Sequence, residues 1–220
     1  MSINDEESKL FAELKKNYPN TVPDGVVDEN EYLNAPCRIV YILKEVNNVP
    51  SGFDLRDFIN KGARPQTWDN VTRWTEAILS GKQSIPWEEV KDVNEERRRN
   101  ILKKIAAVNL KKTPGGHTSD IREIIKAAKD FKDIVQKQLD LYKPDYIILC
   151  GTERAYIDAF YEGKAVNWVH TERGIDYFKD NGVAIISFCH PEARIKDNYM
   201  FYALLDAINE IKAKEREGKI

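Results

Sequence analysis

Cysteine, histidine and long apolar runs are all scarce in this sequence. Its three cysteines are Cys37, Cys150 and Cys189, and no two of them share the CxxC spacing of a zinc or iron–sulfur site. So few cysteines argue against a disulfide framework and point to the reducing cytoplasm. No apolar run approaches the roughly 20 residues that cross a bilayer, so no membrane partner is expected. The opening stretch MSINDEESKL is acidic and polar and is not expected to act as an export signal. Neither sign of charge dominates: 34 Lys and Arg stand against 36 Asp and Glu, for a net charge of −2. That excludes a strongly cationic nucleic-acid binder but leaves room for a local basic patch. Internal repeats and low-complexity linkers are absent too.

What remains is 220 residues, 42% of them apolar and 32% charged, which suits a single domain spanning 1–220 with a well-solvated surface. Four short apolar runs read as buried strands: RIVYIL (38–43), IAAVNL (105–110), YIILC (146–150) and VAIISF (183–188). None alternates cleanly between apolar and polar, which is the pattern of parallel strands covered on both faces. Between them lie helical patterns. SDIREIIKAAKDFKDIVQKQLDLY carries Ile121, Ile124, Ile125, Ala128, Phe131, Ile134, Val135 and Leu139 at helical spacing, with Ser119 or Asp120 as its cap. TWDNVTRWTEAIL repeats Trp68, Val71, Trp74 and Ile78 on one face, a stripe that reads as core. ESKLFAELKKN near the start and the segment from Asp197 onward read as further helices. The basic stretch EERRRNILKK (95–104) reads as a solvated helix face. Alternating helices and buried strands predict an α/β sandwich on a mainly parallel sheet.

Open parallel sheets bind ligands beyond the carboxyl ends of their strands. Lys44, Glu45 and Asn47 follow the first run; Asn109 stands near the end of the second, and Lys111, Lys112 and a TPGG loop with Gly115 and Gly116 follow it. Gly151 and Thr152 follow the third, and His190 follows the fourth. Each has a plain alternative. His190 could cap a strand, Glu45 could serve a surface ion pair, and Asn109 could meet buried backbone instead of a ligand edge. His117 and His170 read as ordinary loop residues.

Taken in order, VNLKKTPGG, a helix ending QLDLYKPDYIILCG and a strand ending in HPEA resemble the uracil-DNA glycosylase superfamily. The match spans about residues 105–194, with RIVYILKEVN standing where that family has its first catalytic motif. The resemblance implies a three-layer α/β/α sandwich on a four-stranded parallel sheet. It implies that His190 stabilises negative charge on a departing uracil, that Asn109 reads the uracil edge, and that Glu45 or Asn47 positions water. It further implies hydrolysis of the N-glycosidic bond of uracil or another damaged base, in DNA repair, with damaged DNA as partner and without metal or cofactor. Lys111, Lys112 and the glycine loop would grip phosphate. The sequence departs from the family in several places: Lys44 replaces a glycine in the first motif and no proline directly follows its polar residue, Glu192 stands where serine is usual, the cysteines of the iron–sulfur branch are missing, and GFDLRDFINKGARPQTWDNVTRW has no counterpart.

Two further readings stand beside a glycosylase. One is a module of the same fold that binds nucleic acid, a base or a nucleotide without cleaving it. The other is a cysteine enzyme, with Cys150 and His190 at neighbouring strand ends.

Overall fold

The computed structural model describes residues 2–116 and 118–218, so His117 lies outside it. The chain runs α1 (Ile3–Asn17), β1 (Gly25–Val26), α2 (Glu29–Leu33), β2 (Ile39–Leu43), α3 (Leu55–Asn60), α4 (Pro65–Ser80), α5 (Trp87–Val90), α6 (Glu95–Leu102), β3 (Ile105–Asn109), α7 (Ile121–Asp130), α8 (Lys132–Tyr142), β4 (Tyr146–Cys150), α9 (Glu153–Phe160), β5 (Val169–His170), β6 (Asp176–Asp180), β7 (Val183–Phe188) and α10 (Asp197–Arg216). One sheet contains all these strands in the order β1-β3-β2-β4-β7-β6-β5.

The four apolar runs are the contiguous parallel part, β3-β2-β4-β7. The sheet is wider than the four strands expected, because β1, β5 and β6 add antiparallel pairs at its two edges. The short polar β6 is joined to β7 by Asn181 and Gly182, both at positive φ, as a two-residue hairpin requires.

Every residue of β2 is buried, and the strand divides its side chains between two cores. Ile39, Tyr41 and Leu43 pack with α3, α4, α6 and α10, while Val40 and Ile42 pack with α7, α8 and α9. Helices therefore cover both faces, which is why the strand runs do not alternate. The long helical pattern from Asp120 onward is two helices. The break falls at Phe131, which is buried against Phe11 and Leu14 of α1 and meets the Tyr18 ring edge-on at 5.0 Å. Asp120 caps the first of them by accepting the Arg122 N–H.

The charge run at 95–104 supplies α6 (Glu95–Leu102), and its three arginines are all paired within the chain. Arg97 binds Glu76 at 2.7 Å, the buried Arg98 binds Asp69 and the Gly62 carbonyl at 2.7 Å each, and Arg99 binds Glu95 at 2.7 Å. Among the described residues, no helix is long and apolar enough to cross a membrane.

The register aligns Leu43 with Asn109 and Cys150 with Phe188, so the parallel strands finish along one edge. After β2 the chain turns to the α3–α4 face, and after β3 it turns to the α7–α8 face. Neighbouring strands that diverge in this way open a crevice at their carboxyl ends.

Candidate functional site

That crevice is a cleft of about 310 Å³. Glu45, Asn47, Asn109 and His190 all line it, having arrived from three separate strand ends. Phe53, Leu55, Phe58, Thr67 and Trp68 supply the opposite wall. A bigger hollow of about 570 Å³ lies between α8 and α9, but none of the strand-end side chains reaches it.

The loops after β2 and β3 continue to pair beyond the strands. Lys111 N–H donates to the Lys44 carbonyl at 2.9 Å, Gly115 N–H to the Val46 carbonyl at 2.8 Å, and Asn48 N–H to the Gly115 carbonyl at 3.3 Å. This rail holds Glu45 and Asn47 beside Asn109. The Glu45 carboxylate lies directly against Gly115, where any Cβ would overlap it. One of its oxygens accepts from Lys111 Nζ at 2.6 Å and the other from Ser119 Oγ at 2.6 Å. Asn47 is exposed in its loop, and Gly116 is exposed beyond Gly115.

Asn109 is 2% exposed. Its side-chain Oδ1 is buried and has no hydrogen-bond partner. A buried acceptor left unpaired costs roughly 1–3 kcal/mol, so the cleft carries an unmet demand for a donor.

His190 sits at the start of a turn that α4 pins in place. Asn70 Nδ2 donates to the Pro191 carbonyl at 2.9 Å and to Asp197 at 3.0 Å, and Ala193 N–H closes the turn onto the His190 carbonyl at 2.8 Å. Glu192 N–H donates to His190 Nδ1 at 3.1 Å. Burial lowers the imidazole pKa below its ordinary value; nearby Lys44 pushes the same way and Glu192 opposes both. The ring is therefore neutral at pH 7, with its proton on Nε2. The Glu192 carboxylate accepts from Thr67 Oγ1 and from Arg64 Nη2, the latter at 3.3 Å, and so borders the cleft from the His190 side.

Two expected roles change. Lys112 does not face a phosphate: it is fully buried, with Nζ 2.7 Å from Asp24 Oδ1 and 2.7 Å from Gln138 Oε1. Burial lowers its pKa, against the pull of Asp24. Cys150 is no nucleophile. Its thiol is fully buried, lies 3.7 Å from the Ile148 carbonyl, and is pushed well above the ordinary thiol pKa by burial. His170 is exposed on β5 and pairs with Asp176.

The sequence pattern did not point to the aromatic wall. Residues 53–68 form α3 and the start of α4, where Phe53 and Phe58 meet at 5.5 Å and Trp68 is buried while bordering the cleft. The local signals there, Asp54 as a helix cap, Pro65 at a helix start and Trp68 in an apolar stripe, mark helices and core but no ligand wall. Among the described residues, no group of three or more His, Cys, Asp or Glu side chains is placed to hold a metal ion. No protein-family model matches the sequence, and no curated protein matches it either.

Proposed function

We propose that the cleft receives a uracil-like base and that the protein is a DNA glycosylase-like N-glycosyl hydrolase acting on uracil or another damaged base. The observation that carries this reading is the meeting of His190 and the partnerless Asn109 Oδ1 in one small, aromatic-walled cleft. A volume near 310 Å³ is at the small end for ligand sites and suits one base better than a large cofactor.

The chemistry follows from the groups. A base turned out of its stack offers an imide N–H to Asn109 Oδ1 and its ring faces to Phe53 and Phe58. As the bond from the sugar to the base nitrogen breaks, its electron pair leaves with the base. Negative charge grows on a base oxygen and positive charge on the sugar. The Nε2–H of His190 is the donor for that oxygen, an interaction that strengthens as the charge develops. Water oriented by Glu45 or Asn47 adds its hydroxide to the sugar, and its proton balances the departing base.

The test is purified protein on single- and double-stranded oligonucleotides carrying one uracil, with alkali cleavage reporting abasic sites. A protein inert on uracil and on other damaged bases refutes the hydrolase.

One observation favours a binding module without turnover. Both oxygens of Glu45 are engaged, by Lys111 and by Ser119, which leaves the carboxylate poorly placed to accept a proton from water. Base binding in the absence of abasic product is the signature of that alternative.

A further inference from the structure

Asn109 is the last residue of β3, and its backbone N–H points to the β1 side of the strand. The β1 ladder pairs Gly25 with Ala107 and Val26 with Ala106. Continued by two residues, past Asp24 and Val108, it would set Pro23 opposite Asn109. Pro23 has no N–H to give, and its carbonyl accepts from Leu55 N–H at 2.9 Å at the start of α3. The ladder therefore stops two residues short of the cleft residue Asn109. The Asp24 carboxylate takes the vacant place, with Oδ2 accepting the Asn109 N–H at 2.8 Å.

Asp24 is fully buried. Its remaining lone pairs are filled by Lys112 Nζ at 2.7 and 3.0 Å and by Gln138 Nε2 at 3.0 Å. Gln138 Nε2 also lies 2.9 Å from the Tyr142 hydroxyl, which donates to Glu7, and Glu7 is bound by Arg56 at 2.7 Å. Gly25 must lack a side chain because a Cβ there would overlap the Glu7 carboxylate and the Tyr142 hydroxyl. The residues flanking Asp24 are tied to the same region, since Val22 N–H donates to the Lys112 carbonyl at 2.8 Å. The segment 22–25 is thereby joined to two cleft residues, Asn109 of the floor and Leu55 of the wall.

We propose that Asp24 is a positioning residue of the cleft: its carboxylate, neutralised by Lys112, holds the Asn109 backbone so that the side-chain amide stays aimed at the ligand and does not turn inward to find a partner. This rests on the cleft being a base site. The proposal also explains why a lysine next to the cleft loop is buried. Asp24 has to be an acceptor at a place that water cannot reach, and Lys112 supplies the countercharge.

The test compares two double variants that leave the net charge of the protein unchanged. In D24N/K112M, the side-chain oxygen introduced at position 24 still accepts from the Asn109 N–H, and its amide nitrogen takes the place of Asp24 Oδ1, where it donates to Gln138 Oε1 once the Gln138 amide, released from Lys112, turns over. In D24L/K112M the buried pair is replaced by apolar groups, an exchange that buried ion pairs often tolerate, and the acceptor for Asn109 is gone. D24N alone would leave the Lys112 charge uncompensated and tests folding instead of positioning. Two quantities are measured on both double variants and on wild type: hydrogen exchange of the Asn109 backbone amide by NMR, and affinity for free uracil by calorimetry. In D24L/K112M the amide is expected to exchange about tenfold faster and uracil affinity to fall about tenfold, while D24N/K112M stays near wild type on both. Equal affinity in the two folded variants overturns the proposal, whether or not exchange differs. Wild-type protein that binds no uracil, with the exchange difference intact, overturns the base-site reading and this use of Asn109 with it. That pattern is distinct from equal affinity in proteins that do bind.

Discussion

His190 Nδ1 accepts the backbone N–H of Glu192 at 3.1 Å, which leaves Nε2 as the donor of the neutral ring. If that donor meets a developing negative charge, His190→Ala should lower turnover by roughly 10²–10³. Ground-state binding should change little, because the interaction grows only as the bond breaks. If the ring serves only to close the turn, the melting temperature should fall and activity per folded molecule should persist. Single-turnover rates and thermal melts on the same variant separate the two.

The imidazole also sets a pH dependence. Its folded pKa lies below the ordinary value, chiefly because it is buried, so the unfolded chain binds the proton more readily than the folded one. Stability is therefore lost as pH falls from about 6.5 through the folded pKa, and is unaffected by this group at higher pH. Protonation also removes the Nδ1 acceptor used by Glu192 N–H. Melting temperatures from pH 7.5 to pH 5 should fall further for wild type than for His190→Asn. Parallel curves would show that the histidine titrates as it does in the unfolded chain.

Asn109→Ala should separate function from stability. The substitution removes a buried acceptor that has no partner, so the free protein should be as stable as wild type or gain up to about 1 kcal/mol. Base binding should be lost. A variant that binds uracil as wild type does would remove Asn109 from the recognition set. A large loss of stability would mean that the amide has a structural partner.

Gly115→Ala tests the seat of Glu45. The new methyl group would overlap the Glu45 carboxylate, and that carboxylate is held on its other side by Lys111 and Ser119. Overpacking of this kind costs roughly 1–3 kcal/mol, which urea denaturation would read. If Glu45 orients water, product formation should drop together with stability. Gly116→Ala is the control, since a Cβ there meets nothing within 4 Å, and it should behave as wild type.

Lys112→Met alone should be far more harmful than any change at the exposed lysines. It strands the Asp24 carboxylate in the interior without its countercharge, a loss typically worth about 3–5 kcal/mol. Denaturation midpoints decide the matter: a loss below about 1 kcal/mol would mean that the carboxylate finds water or another partner.

By itself the sequence determined the α/β class, the four parallel strands and most of the amphipathic helices. These are local properties. A strand covered on both faces is written as an unbroken apolar run, as in Ile39–Leu43, and a helix is written as apolar residues at its own period. The strand ends are legible too, since the polar Glu45, Asn47, Asn109 and His190 stand at or just beyond the ends of those runs. One local signal is easily passed over: Asn181-Gly182 makes the hairpin that adds β6, a strand masked by its polar Asp176, Lys179 and Asp180. The rest was decided by tertiary structure alone. Lys112 reads as a partner of Lys111 in a basic loop, yet its countercharge Asp24 lies 88 residues away. Glu192 meets Thr67 across 125 residues, and the helix broke at Phe131 because α1 packs there. No periodicity records such contacts. Whether a lysine faces solvent or a buried carboxylate depends on which distant segment folds over it, since the cost of burying a charge is set by the partner it meets.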